Sequence, residues 1–409
     1  MVYMKTLINN VNILDVERGA YMNHRSVVIE DNRIISFDDT DNADIIIDGE
    51  DRYLLPGMID SHVHMVFEFK PVESRLATPF SYNFYQAMDY AKSTIDAGIT
   101  TVRDALGADI GYKKAIEDGL FIGPRTVCSI NALTITGGHG DGYQYSGNSI
   151  DIVTTDYPGM PNGICDGVEE VRKKAREMLR AGADVLKVHA TGGVTSPTDH
   201  PNYTQFSLEE LKVIVEEAAF RNGRKVMAHA QGLEGINQCI DAGIHSIEHG
   251  IYLDEPTAKR MVEHGTYLVP TLLAPISVLE FAEELGMSQV AIDQAKEVLE
   301  DHINGFKTAY KQDVKIAMGT DAGVFKHGTN LRELELMVEY GMSEIDAIRA
   351  STQVAAECLC IDQLGLIKEG YLADLILVNQ DPLENISVLK DNNSIKLVVK
   401  DGAIVKQID

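Results

Sequence analysis

PGMIDSHVH, residues 56–64, is the stretch on which the reading of the fold turns. Pro56 and Gly57 break whatever precedes them, Met58 and Ile59 begin a short apolar run, and the run ends on His62 and His64. Alternate residues of an extended segment share a face, so the two imidazoles point the same way and can reach one ion. Taken alone, His-x-His is a weak signal, because two histidines in a strand more often serve packing or surface. Its weight comes from the recurrence of the same pattern along the chain.

Working outward, short apolar runs at 58–62, 100–104, 126–130, 185–189, 225–229, 246–249, 267–269 and 315–320 alternate with amphipathic stretches at 83–97, 169–181, 208–221, 235–242, 257–264 and 289–310. Strands that alternate with helices imply a parallel sheet. Gly243 and Gly265 each close a helical run, where a left-handed cap is wanted. Eight such strands predict an α/β fold, a (β/α)8 TIM-type barrel over residues 57–368, with its chemistry at the ends of the strands. The segment 131–167, rich in Gly, Asp, Tyr and Pro, is too long for a plain connection and is expected to cover the site.

The two ends of the chain read differently. TLINNVNILD, SVVIEDNRIISF and ADIIIDGEDRYLL near the start, and ADLILVNQD and SIKLVVKDGAIVKQI near the finish, alternate branched residues with turn signals such as Asp31-Asn32 and Asp401-Gly402. Ends of one type around a different middle predict a small β-sandwich domain assembled from residues 1–56 and 369–409.

The 409 residues exceed what one small core serves. Sixty-two acidic against 36 basic residues give a formal charge of -26, which argues against nucleic acid and anionic membranes as partners and reads chiefly as solubility. Five cysteines, Cys128, Cys165, Cys239, Cys358 and Cys360, are scattered without a CxxC pair, which argues for a reducing compartment and against a thiolate zinc framework. The first residues lack the apolar core and cleavage site of a signal peptide, and no run reaches the ~18 apolar residues of a membrane span. A cytoplasmic protein acting on a small molecule, as a homo-oligomer, is expected.

Four further candidates stand at the ends of other strands. Lys187, in GADVLKVHATGGV, sits inside an apolar strand, where an uncompensated ammonium costs several kcal/mol on the order of a buried unpaired charge. It either snorkels to the rim or pairs with a carboxylate, or else its amine adds carbon dioxide to become a carbamate bridging two ions. Beside the histidines the second reading is preferred. His229 in KVMAHAQG and His249 in SIEHG end consecutive strands and suit a second ion, although a lone histidine there is usually structural. Asp321, in KIAMGTDAG, can bind metal and accept a proton from an activated water; its bland role would be a turn aspartate before Ala322-Gly323.

These residues resemble the amidohydrolase superfamily. PGMIDSHVH, TTVRD, VLKVHATGGV, AHAQG, IEHG, GTDAG and LGLIKEGYLADLILVNQDPL carry the resemblance over nearly the whole chain. It implies two divalent ions, zinc first, held by His62, His64, His229 and His249, with carboxylated Lys187 as a bridge and Asp321 as ligand and general base. It also implies the barrel and the β-sandwich. Within the superfamily the chain is most similar to metallo-dipeptidases and carboxypeptidases of the prolidase-like and Xaa-Arg/Lys type, on TITGGHGD, KVHATGGVTSP and the run from His327. Prolidase-like relatives often carry a tyrosine where Gln231 stands here, which tilts the expectation toward a C-terminal Arg or Lys.

The function expected is hydrolysis of the amide bond before a free C-terminal amino acid, in a dipeptide or N-acyl amino acid, by a metal-bridging hydroxide. His139, His189, Gln231 and His327 are the candidate substrate contacts. An Xaa-Pro dipeptidase is the first alternative. A deaminase or cyclic-amide hydrolase is the second, opposed by Gly232, where deaminases carry a glutamate, and by Lys187. A scaffold without activity would have lost ligands, and none of the six is missing.

Overall fold

Along the chain the elements follow the alternation of the sequence, in a computed structural model that describes residues 5–38, 42–68, 70, 72–149, 156–194, 199–283 and 289–408. Strands β1 (Lys5–Asp15), β2 (Ala20–Glu30), β3 (Arg33–Ser36), β4 (Ile45–Asp48) and β5 (Tyr53–Pro56) come first. The middle runs β6 (Met58–Val63), α1 (Val72–Ala77), α2 (Phe80–Asp96), β7 (Ile99–Asp104), α3 (Ile110–Glu117), β8 (Arg125–Cys128), β9 (Ala132–Leu133) and α4 (Gly167–Arg180). It continues with β10 (Leu186–His189), α5 (Leu208–Ala219), β11 (Val226–Ala230), α6 (Leu233–Ala242), β12 (Ser246–His249), α7 (Glu255–His264) and β13 (Tyr267–Val269). Helices α8 (Leu273–Glu280), α9 (Gln289–Lys311), α10 (Arg332–Glu339), α11 (Glu344–Ala350) and α12 (Gln353–Cys358) precede β14 (Leu375–Val378), β15 (Ile395–Lys400) and β16 (Ala403–Gln407).

Both ends of the chain enter one mixed sheet, ordered β16-β15-β14-β5-β1-β2-β3, with β4 also paired to β1. Here the expected β-sandwich is a single hydrogen-bonded path. Its long strand β1 changes partner partway, pairing in parallel with β4 through Thr6 to Asn9 and with β5 through Asn12 and Ile13. Ile8, Val11, Ile13, Val27, Ile29, Leu54, Leu375, Leu377, Leu397 and Val399 form one buried cluster within it. Each such side chain, fully withdrawn from water, contributes ~1.5–3 kcal/mol before entropy is counted. Asp401 and Gly402 both take positive φ, 48° and 76°, as a two-residue primed turn demands.

The middle forms parallel sheets, ordered β13-β12-β11-β10-β9 and β6-β7-β8. Every residue of β6, β7, β10, β11 and β12 is buried, because helices cover one face and side chains of facing strands fill the other. The run expected as an eighth strand forms isolated parallel bridges with its neighbours, Leu268 to Ile316 and Val63 to Ala322. Ser61 N donates to Met318 O and Asp321 N to His62 O, both at 2.8 Å, which seats this run beside β6.

The helices begin and end where local chemistry directs. Ser207 caps α5 with a reciprocal bond to Glu210, Asp254 caps α7 through Thr257 N, and Gly243 and Gly265 end α6 and α7 at φ 83° and 69°. Helices α1, α3, α8, α10, α11 and α12 are additions to the sequence reading; the segment 195–198, which includes the end of KVHATGGVTSP, and part of the 131–167 loop lie outside the described residues.

Candidate active site

Strand β6 delivers His62, and His64, the first residue after its end, keeps the same face. Asp321 joins them from the run beside β6. Its carboxylate Oδ1 lies 2.9 Å from His64 Nε2 and 3.4 Å from His62 Nε2. One donor atom from each of the three falls within 4.8 Å of the others, a spacing able to hold a metal ion. Burial opposes ionisation of Asp321, but hydrogen bonds and charge from His62 and His64 outweigh it and hold the carboxyl well below its ordinary value. His249 and Asp321 both sit at positive φ, 72° and 65°. A side chain held there stores ~1–3 kcal/mol, characteristic of a functional turn.

Beneath this group the buried Asp60 accepts from His62 N at 3.1 Å, Thr320 N at 3.1 Å, Thr320 Oγ1 at 2.7 Å and Asn330 Nδ2 at 2.8 Å. It ties the end of β6 to the run carrying Asp321. Burial pushes its carboxyl up to about 6 against those bonds.

Adjacent strands supply the rest. Lys187 and His189 stand on β10, His229 on β11 directly opposite His189, and His249 on β12. The imidazoles form a continuous chain of ring contacts: His62 to His249 at 5.2 Å, His249 to His229 at 4.6 Å, His229 to His139 at 4.4 Å and His139 to His189 at 5.2 Å. Burial holds His189, His229 and His249 well below the ordinary histidine value, which keeps them in the neutral form that ligates. His229 Nε2 donates to Gly192 O at 2.9 Å, leaving the lone pair on Nδ1; His249 Nδ1 meets Thr271 Oγ1 at 2.7 Å, leaving Nε2. Lys187 is 1% exposed, and burial lowers its amine to about 8.

These groups open into a cavity of about 210 Å³. His62, His64, Lys187, His229, His249 and Asp321 all reach it, as do His139, His189 and Gln231. Among the described residues, His189 Nδ1 and Gln231 Oε1 are buried without a hydrogen-bond partner, and His139 Nδ1 lies 3.6 Å from Asp199 Oδ2, so the wall holds polar atoms that a ligand can satisfy. His327 is placed elsewhere. Its Nε2 donates to His64 O at 3.2 Å, its Nδ1 faces Thr94 Oγ1 at 3.3 Å, and its ring stacks on Tyr90 at 4.9 Å. It packs behind the His64 backbone and is absent from the described lining.

Sequence reasoning passed over Glu248, Arg103, Asp60, Thr271 and His302. Glu248 and Arg103 are charged residues inside apolar strands, the same signal that singled out Lys187. His302, on α9, donates Nε2–H to Pro270 O at 2.6 Å and lies 3.1 Å from His249 O, while its ring edge lines the cavity. No sequence pattern marks it.

Imidazole nitrogens, a carboxylate oxygen and an amine able to become a carbamate suit zinc, manganese or cobalt, so the residues fit a divalent metal. Comparison with known proteins agrees. Residues 53–405 match the model of the amidohydrolase family. The chain belongs to that family. This amidohydrolase is 36% identical over 366 residues to ochratoxinase of Aspergillus niger, covering 86% of this chain and 75% of that one. Among solved structures it is similar to a prolidase complexed with N-methylphosphonate-L-proline, at TM-score 0.92 and 34% identity over 99% of this chain and 100% of that one. It is also similar to an Xaa-Pro dipeptidase with bound methionine, at TM-score 0.87 and 34% identity over 98% and 100%. No helix among the described residues is long and apolar enough to cross a membrane.

Proposed function

We propose that this amidohydrolase cleaves the amide bond before a free C-terminal residue of a small peptide or N-acyl amino acid, with Xaa-Pro dipeptides as the first substrates to try. The observation that carries the reading is the His62, His64 and Asp321 cluster at the floor of a cavity that also takes in buried Lys187. In this reading residues 57–368 are one (β/α)8 domain whose two parallel sheets close into a ring through 316–322, and residues 1–56 and 369–409 are the second domain.

The residues divide the work. His62 and His64 would hold one ion and His229 and His249 another, with Lys187 as carbamate and Asp321 as further ligands. Ions so bound polarise a carbonyl and lower the pKa of water. Asp321, kept ionised by its histidine neighbours, takes a proton from the attacking water on a carboxylate oxygen and hands it to the leaving nitrogen. His139, His189 and Gln231 face the substrate, and Arg75 adds a guanidinium to the wall.

Preference for Xaa-Pro over Xaa-Arg or Xaa-Lys departs from the expectation drawn from Gln231. Phe67, Leu106, Val194, Ile251, Pro275 and Val278 line the cavity, and its carboxylates among the described residues are Asp141 and Asp321 alone. An apolar wall suits a pyrrolidine ring and leaves a guanidinium poorly paired. Two of the similar structures are, by name, a prolidase and an Xaa-Pro dipeptidase. The test is a screen of zinc-loaded protein against dipeptides and N-acyl amino acids, reading release of the C-terminal residue. Release from Xaa-Pro ahead of Xaa-Arg is expected; release from no member would refute the reading.

A further inference from the structure

Below the candidate metal ligands an ion pair crosses the interior. Arg103, from β7, and Glu248, from β12, are 1% and 0% exposed and lie in different parallel sheets. Arg103 NH2 donates to both Glu248 oxygens, at 2.9 and 3.1 Å, and Arg103 Nε donates to Ser61 O at 2.6 Å. Ser246 Oγ donates to Glu248 Oε1 at 2.6 Å. The remaining contact of Glu248 Oε2 is His62 Nδ1 at 2.7 Å.

We propose that Glu248 is a positioning residue for the metal centre: anchored by Arg103 and Ser246, it accepts the Nδ1–H of His62 and so turns Nε2, the nitrogen that would bind an ion, toward Asp321 and His64. The inference rests on the reading of His62 as a metal ligand. The chemistry follows from the donor count. A carboxylate paired with a guanidinium and a hydroxyl only accepts, so the nitrogen 2.7 Å away must carry the hydrogen. A neutral imidazole with hydrogen on Nδ1 has its lone pair on Nε2. The same contact fixes the ring plane, since Arg103 is itself held to Ser61, one residue before His62. Partners of this kind orient a ligand before the ion arrives.

A bare structural role would make a different prediction, because the Arg103 and Glu248 pair also joins the two parallel sheets. The two roles separate in a double-mutant cycle on zinc affinity, measured by chelator competition on the full chain, with circular dichroism to verify folding. Glu248→Gln presents an amide that cannot serve Arg103, Ser246 and His62 together. It is expected to weaken zinc about 10–100-fold and to add nothing in a His62→Ala background. Should Glu248→Gln fail to fold, Glu248→Asp keeps the charge opposite Arg103 but draws back from His62, with the same expected loss. Equal losses with and without His62, or zinc binding unchanged in a folded Glu248 variant, would overturn the proposal while leaving the metal reading intact. A wild-type chain that takes up no zinc would overturn both.

Discussion

At Lys187 the physical argument is most exposed. A buried amine lowered to about 8 is partly neutral at physiological pH, and only the neutral form adds carbon dioxide. Reactivation of metal-free protein with zinc, at fixed dissolved carbon dioxide, should therefore speed up from pH 6 to about 8 and level off above it. A rate still climbing at pH 10 would mean an ordinary lysine. His327 makes a second residue-level test. Burial lowers it to about 4 in the folded chain from the ordinary histidine value of 6.5, so the unfolded chain binds the extra proton between those values. Its contribution to stability is full above about 6.5 and fades as pH falls toward 4. The Tm gap between wild type and His327→Gln should narrow across that window; a constant gap would contradict a neutral buried ring. The grouping of His62, His64 and Asp321 was legible in sequence because each stands at the end of an apolar run, and Lys187, His229 and His249 reach the same cavity from apolar strands. His327 was named on the resemblance of the run it begins, and its ring stacks on Tyr90, a contact that the run itself does not encode.

Elements position these residues through capping and irregularity. Glu333, at the start of α10, is buried and accepts from Leu272 N at 2.8 Å and Leu273 N at 2.7 Å, where α8 begins. Helix α8 brings Ala274, Pro275 and Val278 to the cavity and follows Thr271, the partner of His249. Glu333→Ala should cost ~1–3 kcal/mol of stability by stranding two amides, and steady-state kinetics should show KM raised more than kcat lowered. Unchanged KM in a folded variant would mean that α8 needs no such anchor. At this scale the sequence supplied the regular strands and missed the deviations. In the run at 315–322 Thr320 N is shared between His62 O of β6, at 3.2 Å, and the Asp60 side chain, at 3.1 Å, a tertiary contact that periodicity does not encode. Helices α10 to α12 escaped because they are short, at 8, 7 and 6 residues. The strands of both chain ends share one mixed sheet, which branches at β1, paired with β4 along one half and with β5 along the other.

Across the whole molecule, charge and local chemistry part company. The chain carries a formal charge of -26, yet the cavity is walled mainly by apolar side chains and histidines. Net charge governs solubility and long-range steering; a pocket answers to the residues that line it. The central claim is that residues from five separated strand ends assemble one site for two ions with Lys187 between them. It is tested most directly by counting metal per chain after reconstitution with zinc and bicarbonate, in wild type and in Lys187→Ala. The account predicts about two ions per chain in wild type, at most one in the variant, and a loss of activity beyond the ~100-fold typical of losing an outer partner. One ion or none in wild type, or two ions with full activity in Lys187→Ala, would contradict it.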